Sequence, residues 1–208
     1  MKKYIIFILV TLIVLVSFKS NSPVYGIDVS HHNTLTDKDW THLIIKKNIK
    51  FVYIKASEGN HYKDSHRIKY FNKAKKLGLK VGFYHFFRDN VSADSQVNNF
   101  LNSINNISYD CRIALDYEKA GFHSNISELS RIKRLKEVYT ILRGKGYNPI
   151  IYCNALDYFK IKPFIPNTSY WISSPNINLG DMFQSVEYIN NKNIDLNIVY
   201  DYNKILLG

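Results

Sequence analysis

Downstream of Pro23, short runs of β-branched and aromatic residues alternate with longer amphipathic stretches, the pattern of a sheet or barrel of parallel strands joined by helices. Eight runs read as strands, at 25–30, 51–56, 80–87, 112–118, 149–154, 170–174, 183–188 and 194–200. The stretches at 37–47, 65–77, 92–104 and 127–143 read as helices, whereas the later connections are short. Strands that are parallel early and antiparallel late are therefore expected. In the last of these helices Leu129, Ile132, Leu135, Tyr139 and Leu142 recur at three- and four-residue steps, with Lys and Arg on the opposite face. Gly144 stands where that helix should stop, as Gly78 does for the second, and Ser65 and Ser127 are the expected N-caps.

The first 22 residues stand apart. Lys2 and Lys3 precede a run from Ile5 to Phe18 in which only Thr11 and Ser17 are polar, a signal-peptide pattern that implies secretion or delivery to the cell envelope. No Ala-x-Ala-like cleavage site follows it, and an uncleaved segment would be a membrane anchor. Residues 23–208 suffice for one domain and are too few for two ordinary ones. Without Lys2, Lys3 and Lys19 the chain keeps 25 basic against 17 acidic residues, a formal +8 that attracts polyanions. Export makes an anionic envelope the expected partner rather than nucleic acid, since the basic residues are scattered, with Lys73, Lys75 and Lys76 the densest group. Cys111 and Cys153 fall near opposite ends of neighbouring strands, too far apart for a disulfide, so both should be free thiols. No Cys/His spacing resembles a zinc site, and neither a metal nor a cofactor is implied.

Functional side chains of a strand-helix barrel gather at the C-terminal ends of the strands, where the loops share one mouth. Acids stand there. The first strand carries Asp28, the fourth ends in Ile113-Ala114-Leu115-Asp116-Tyr117-Glu118, and the last carries Asp195. Strand residues two apart share a face, so Asp116 and Glu118 should emerge together while Tyr117 points away. Two neighbouring carboxylates raise each other's affinity for a proton, which is what glycoside hydrolysis asks of an acid that protonates a leaving oxygen. A lone Asp-x-Glu equally fits a helix cap or a lysine partner.

The surrounding blocks are more specific. Tyr25-Gly26-Ile27-Asp28-Val29-Ser30-His31-His32, Phe51-Val52-Tyr53-Ile54-Lys55-Ala56-Ser57-Glu58-Gly59, Gly82-Phe83-Tyr84-His85-Phe86 and Leu115-Asp116-Tyr117-Glu118 resemble, in order and spacing, those of family 25 lysozymes. Pro149-Ile150-Ile151-Tyr152, Tyr170-Trp171-Ile172 and Ile194-Asp195-Leu196-Asn197 continue the resemblance, which covers about residues 25 to 200. It implies an α/β fold: an irregular TIM-like β/α barrel of about five strand-helix units followed by three antiparallel strands. It also implies a muramidase that cuts the β-1,4 bond between N-acetylmuramic acid and N-acetylglucosamine in peptidoglycan, acting as a monomer. Glu118 takes the proton donor's position. Asp116 takes that of the partner acid, which orients the substrate's own 2-acetamido group in a retaining route. Asp28 and Asp195 complete the acidic set.

Tyr84, Tyr152 and Trp171 lie in matching strand blocks and are expected at the cleft as sugar platforms or as barrel core, and Gln184 keeps the Gln of the seventh-strand pattern. Phe183 and Ser185 replace that pattern's Trp and Tyr, and Ser173-Ser174-Pro175 departs from it after Trp171-Ile172, which reads as the loss of two aromatic platforms. No Ser or Cys nucleophile accompanies His31, His32 or His85, and His85 reads as a positioned hydrogen-bonding residue. A chitinase-like endo-N-acetylglucosaminidase also uses acids two residues apart, but its longer acidic signature is missing before Asp116. A non-catalytic glycan binder is the remaining alternative, against which stand the four retained acids.

Overall fold

The computed structural model describes residues 22–174 and 179–207; the expected signal segment, over 1–21, and Pro175 lie outside the described residues. In chain order the elements are β1 (Val24–Val29), α1 (Asp37–Lys47), β2 (Ile49–Glu58), β3 (Tyr62–Lys63), α2 (Arg67–Lys76), β4 (Lys80–Phe86), α3 (Ala93–Ile104), β5 (Ala114–Asp116), α4 (Glu128–Gly144), β6 (Ile150–Asn154), α5 (Ala155–Ile161), β7 (Tyr170–Ser173), β8 (Met182–Ile189) and β9 (Lys192–Val199). The sheet runs β1-β9-β8-β7-β6-β5-β4-β2, and β1 pairs with β2, so eight strands close a barrel and leave only the two-residue β3 attached to the end of β2. Closure removes the sheet edges that would otherwise need covering.

The barrel and its α/β class are as expected, with local corrections. β7 runs parallel to both β6 and β8, so among the eight barrel strands only β9 is antiparallel to its neighbours, and the expected trio of antiparallel strands reduces to one. A fifth helix, α5, completes the fifth strand-helix unit that the resemblance implies, in a connection that the apolar pattern alone read as short. Its N-cap is Asn154, the last residue of β6, whose side chain accepts from the Asp157 amide, so strand passes into helix without a loop. Ser127 caps α4 as expected, but Ser65 caps nothing; α2 begins after His66, in a turn held by Asp64. Gly78 takes a left-handed φ of 74°, and Gly146 rather than Gly144 does so past α4, at 87°. Leu129 is exposed, and Val138 joins Ile132, Leu135 and Leu142 on the buried face of α4.

Two apolar layers hold the barrel. Outward residues such as Ile27, Val52, Phe83, Leu115 and Ile172 pack under the helices. Inside, Phe51, Tyr53, Trp171, Ile150, Met182 and Val199 fill the lumen. Room for these rings comes from glycines on the flanking strands: a Cβ on Gly26 would lie 2.4 Å from the Phe51 ring, and one on Gly82 would lie 2.5 Å from the Tyr53 ring. The lumen is plugged at the N-terminal ends of the strands by Ile205 and by Arg112, whose amide donates to the Ile205 carbonyl at 2.7 Å. Cys111 faces this lumen and Cys153 the helix layer, so the two buried thiols stand on opposite sides of the barrel wall and are free, as expected.

Candidate active site

Filling one end of the lumen leaves the other open. A cleft of about 530 Å³ lies at the C-terminal ends of the strands, lined among others by Asp28, Lys55, Glu58, Tyr84, Asp116 and Glu118, a size suited to a small ligand. Tyr152, Trp171, Gln184 and Asp195 also line it, so all eight expected site residues come together there. β5 ends at Asp116, and Glu118 follows two residues later, just before a short 3-10 turn over Lys119–Gly121. Tyr117 points the other way, its ring 5.6 Å from that of Phe87 and 4.5 Å from that of Phe122. Asp28 on β1 pairs directly with Asp195 on β9, which brings a second pair of acids to the same mouth.

The carboxylates are held very differently. Asp28 Oδ2 accepts from Gln184 Nε2 at 2.8 Å and from Asn197 Nδ2 at 3.0 Å. The Tyr152 hydroxyl donates to Gln184 Oε1 at 2.6 Å, which fixes the amide with its donor toward Asp28. Asp116 is buried, and its Oδ1 has no protein partner. Burial, then the charges of Glu118 and Asp28, push the proton affinity of Asp116 well above the usual carboxylate range. Burial also raises that of Glu118, against the lowering effect of Lys55, and burial raises Asp195. Asp28 is pushed up to about 7 by burial and the neighbouring Asp195, despite its two amide donors. Four crowded acids in a half-enclosed cleft thus bind protons more tightly than exposed carboxylates do, so the site can both donate a proton and keep negative charge close by.

The match to a model of glycosyl hydrolases family 25 spans residues 27–192 and includes three of the four acids. The chain belongs to glycosyl hydrolase family 25. It is 34% identical over 136 residues to an autolytic lysozyme of Clostridium acetobutylicum, covering 62% of this chain and 40% of that protein. With lysozyme M1 of Streptomyces globisporus it shares 39% identity over 72 residues, 35% of this chain and 24% of that one. The chain therefore spans less than half the length of either lysozyme. It shares the fold of a family 25 glycosyl hydrolase from Bacillus anthracis, with TM-score 0.72, 24% identity, and coverage of 87% of this chain and 90% of that one. A family 25 lysozyme from Aspergillus fumigatus gives TM-score 0.70 at 21% identity, covering 88% and 97%.

Several cleft residues of this family 25 chain escaped sequence reasoning. Lys55 lies on the same face of β2 as Phe51 and Tyr53, and a lysine at the mouth end of an inward-facing apolar row was a signal that could have found it. Its ammonium pairs with Glu58 at 2.7 Å, and Arg88 Nε donates to Glu58 at 2.9 Å. Glu58 reaches the cleft because the β2–β4 register slips between Lys55 and Ser57, a bulge that alternation cannot show. Asn197 is the other omission. Conversely, Trp171 is only 2% exposed and packs 5.1 Å from Tyr53, centroid to centroid, so it is chiefly floor. Phe183 packs in the helix-side layer and Ser185 shares its face, so the two substitutions expected to remove sugar platforms lie outside the cleft. His85 is buried on the outer face as a hydrogen-bonding residue, with Nδ1 2.8 Å from Ser57 Oγ and Nε2 3.3 Å from Gln96 Oε1. Burial lowers it to about 4. Among the described residues no group of three or more His, Cys, Asp or Glu is placed to hold a metal ion.

The raised affinity of Asp28 makes a stability prediction. A folded-state value of about 7 against 3.8 means that the stabilising contribution is complete below about pH 4 and is lost as pH rises through 7. Asp28→Asn removes that ionisation. The variant should be more stable than wild type at pH 8, by on the order of 1–3 kcal/mol, with the gain shrinking toward pH 4. Thermal unfolding of both proteins across this range measures it, and a gain that grows toward acid would contradict the assigned direction.

Proposed function

We propose that this chain is a peptidoglycan hydrolase, a muramidase cutting the β-1,4 bond between N-acetylmuramic acid and N-acetylglucosamine. The observation that carries the reading is the set of four acids around one open cleft, with Asp116 at the end of β5 and Glu118 two residues beyond it. Glu118 is half-buried yet lines the cleft, so burial strengthens its hold on a proton that it can deliver to a glycosidic oxygen. Asp116 lines the cleft beside Glu118 and can accept from the substrate's 2-acetamido N–H. Orienting that group lets its carbonyl oxygen attack the anomeric carbon, giving retention of configuration. Asp28 and Asp195 shape the field in which the proton is held, and Tyr152 with Gln184 positions Asp28. Tyr84 and Trp171 form the floor under the sugar.

The signal-like N-terminus supports action outside the cell membrane, on glycan strands of a wall, and the net charge favours an anionic envelope. Incubating the protein with purified peptidoglycan should release soluble fragments with new reducing ends, the fresh anomers in the β configuration by NMR. Absence of new reducing ends would sink the hydrolase reading, and fresh α anomers would sink the retaining route.

A further inference from the structure

The β8–β9 hairpin rises past the mouth of the barrel. β1 pairs with β9 only as far as Asp28 opposite Asp195, whereas β8 and β9 stay paired for three more positions, to Ile189 opposite Lys192. Residues directly opposite one another share a face. On one face the hairpin therefore presents three rungs in succession: Gln184 with Asn197, Val186 with Asp195, and Tyr188 with Asn193. The first two contain the cleft residues Gln184 and Asp195, and the buried Asn197 that bonds to Asp28. The third continues the row, about 7 Å further on at roughly 3.3–3.4 Å per residue.

This extension is apolar and open. Val186 is 64% exposed and Tyr188 68% exposed, although both stand in a regular strand. The opposite face is fully used: Ile189, Ile194 and Leu196 are buried in the helix-side core, and Glu187 pairs with Lys47 of α1 at 2.6 Å. The hairpin is also fixed at its tip. The buried Asp39 of α1 accepts from Asn190 and from Lys192, each at 2.7 Å, and Lys192 also donates to the Thr34 carbonyl. An exposed tyrosine on an anchored hairpin is a pre-ordered platform, and an aromatic face suits the C–H face of a sugar.

We propose that Tyr188, with Val186 beneath it and Asn193 beside it, is an additional subsite that holds one N-acetylated hexosamine of the glycan strand beyond those between the acids. The proposal rests on the glycan-cutting function above and adds where a long strand is gripped. Tyr188→Ala and Tyr188→Phe should be compared with wild type on peptide-free glycan strands fractionated by length. On long strands Tyr188→Ala should raise KM by about 5- to 10-fold with kcat within about twofold, since the lost contact is made equally in ground and transition states. Tyr188→Phe should match wild type. On the shortest strand that wild type cleaves, all three proteins should agree. Unchanged KM on long strands, or an equal loss on the shortest one, would overturn the subsite. Failure of wild type to cut strands of any length would instead overturn the glycan-cutting reading itself.

Discussion

Glu118→Gln should lower turnover on peptidoglycan by about 10²-fold or more while glycan binding survives. The substitution keeps the size and hydrogen-bonding capacity of the side chain and removes only the proton that can be transferred. Binding survives because Glu118 makes no hydrogen bond that positions Asp28, Gln184 or Tyr152. Its raised proton affinity comes from burial, opposed by Lys55, so the active, protonated form persists above the pH at which an exposed glutamate would have ionised. The alkaline limb of the wild-type pH profile should accordingly lie above the ordinary glutamate range. Near-native turnover in Glu118→Gln, with protein folded and binding intact, would remove Glu118 from the donor's role.

Tyr53→Ala should cost about 3–5 kcal/mol of folding stability. The ring is fully buried, stands 5.1 Å from Trp171 and 6.2 Å from Phe51 between centroids, and occupies the space that Gly82 leaves on the neighbouring strand. Surrounding strands are pinned by a closed sheet, so the cavity cannot collapse. The hydroxyl donates to the Arg112 carbonyl at 3.0 Å, and Tyr53→Phe, which removes only that bond, should cost nearer 1 kcal/mol. For a chain of this size the larger loss lowers Tm by roughly 10 °C. Denaturant unfolding of the three proteins checks the order, and a Tyr53→Ala loss below that of Tyr53→Phe would mean that the lumen is not close-packed.

The barrel was legible because strand and helix periods differ and eight β-rich runs alternate with apolar stripes. Asp116 and Glu118 were legible because two acids two residues apart follow an apolar run, and alternation puts them on one face. The direction of β7 was not, since a strand's own pattern does not encode which way its neighbour runs. α5 was hidden because it begins at the last residue of a strand and leaves Leu156 and Phe159 exposed, giving no apolar stripe to find. Glu58 was hidden by a bulge that changes which residues of β2 face inward. Asn197 was hidden for another reason: its value lies in a single hydrogen bond to Asp28, 169 residues away in sequence. Misreading Phe183 and Ser185 as lost platforms came from comparing motif letters without the strand phase, which puts Gln184 in the cleft and its two neighbours behind it.

The chemical identity of the new reducing end tests most directly whether these four acids cut a glycan strand on the muramic acid side. Peptidoglycan digested by the full chain is reduced with borohydride, and the fragments are sequenced by mass spectrometry. Reduced N-acetylmuramic acid at the new ends is the result expected of a muramidase. Reduced N-acetylglucosamine would contradict it and make the protein an endo-N-acetylglucosaminidase built on the same barrel.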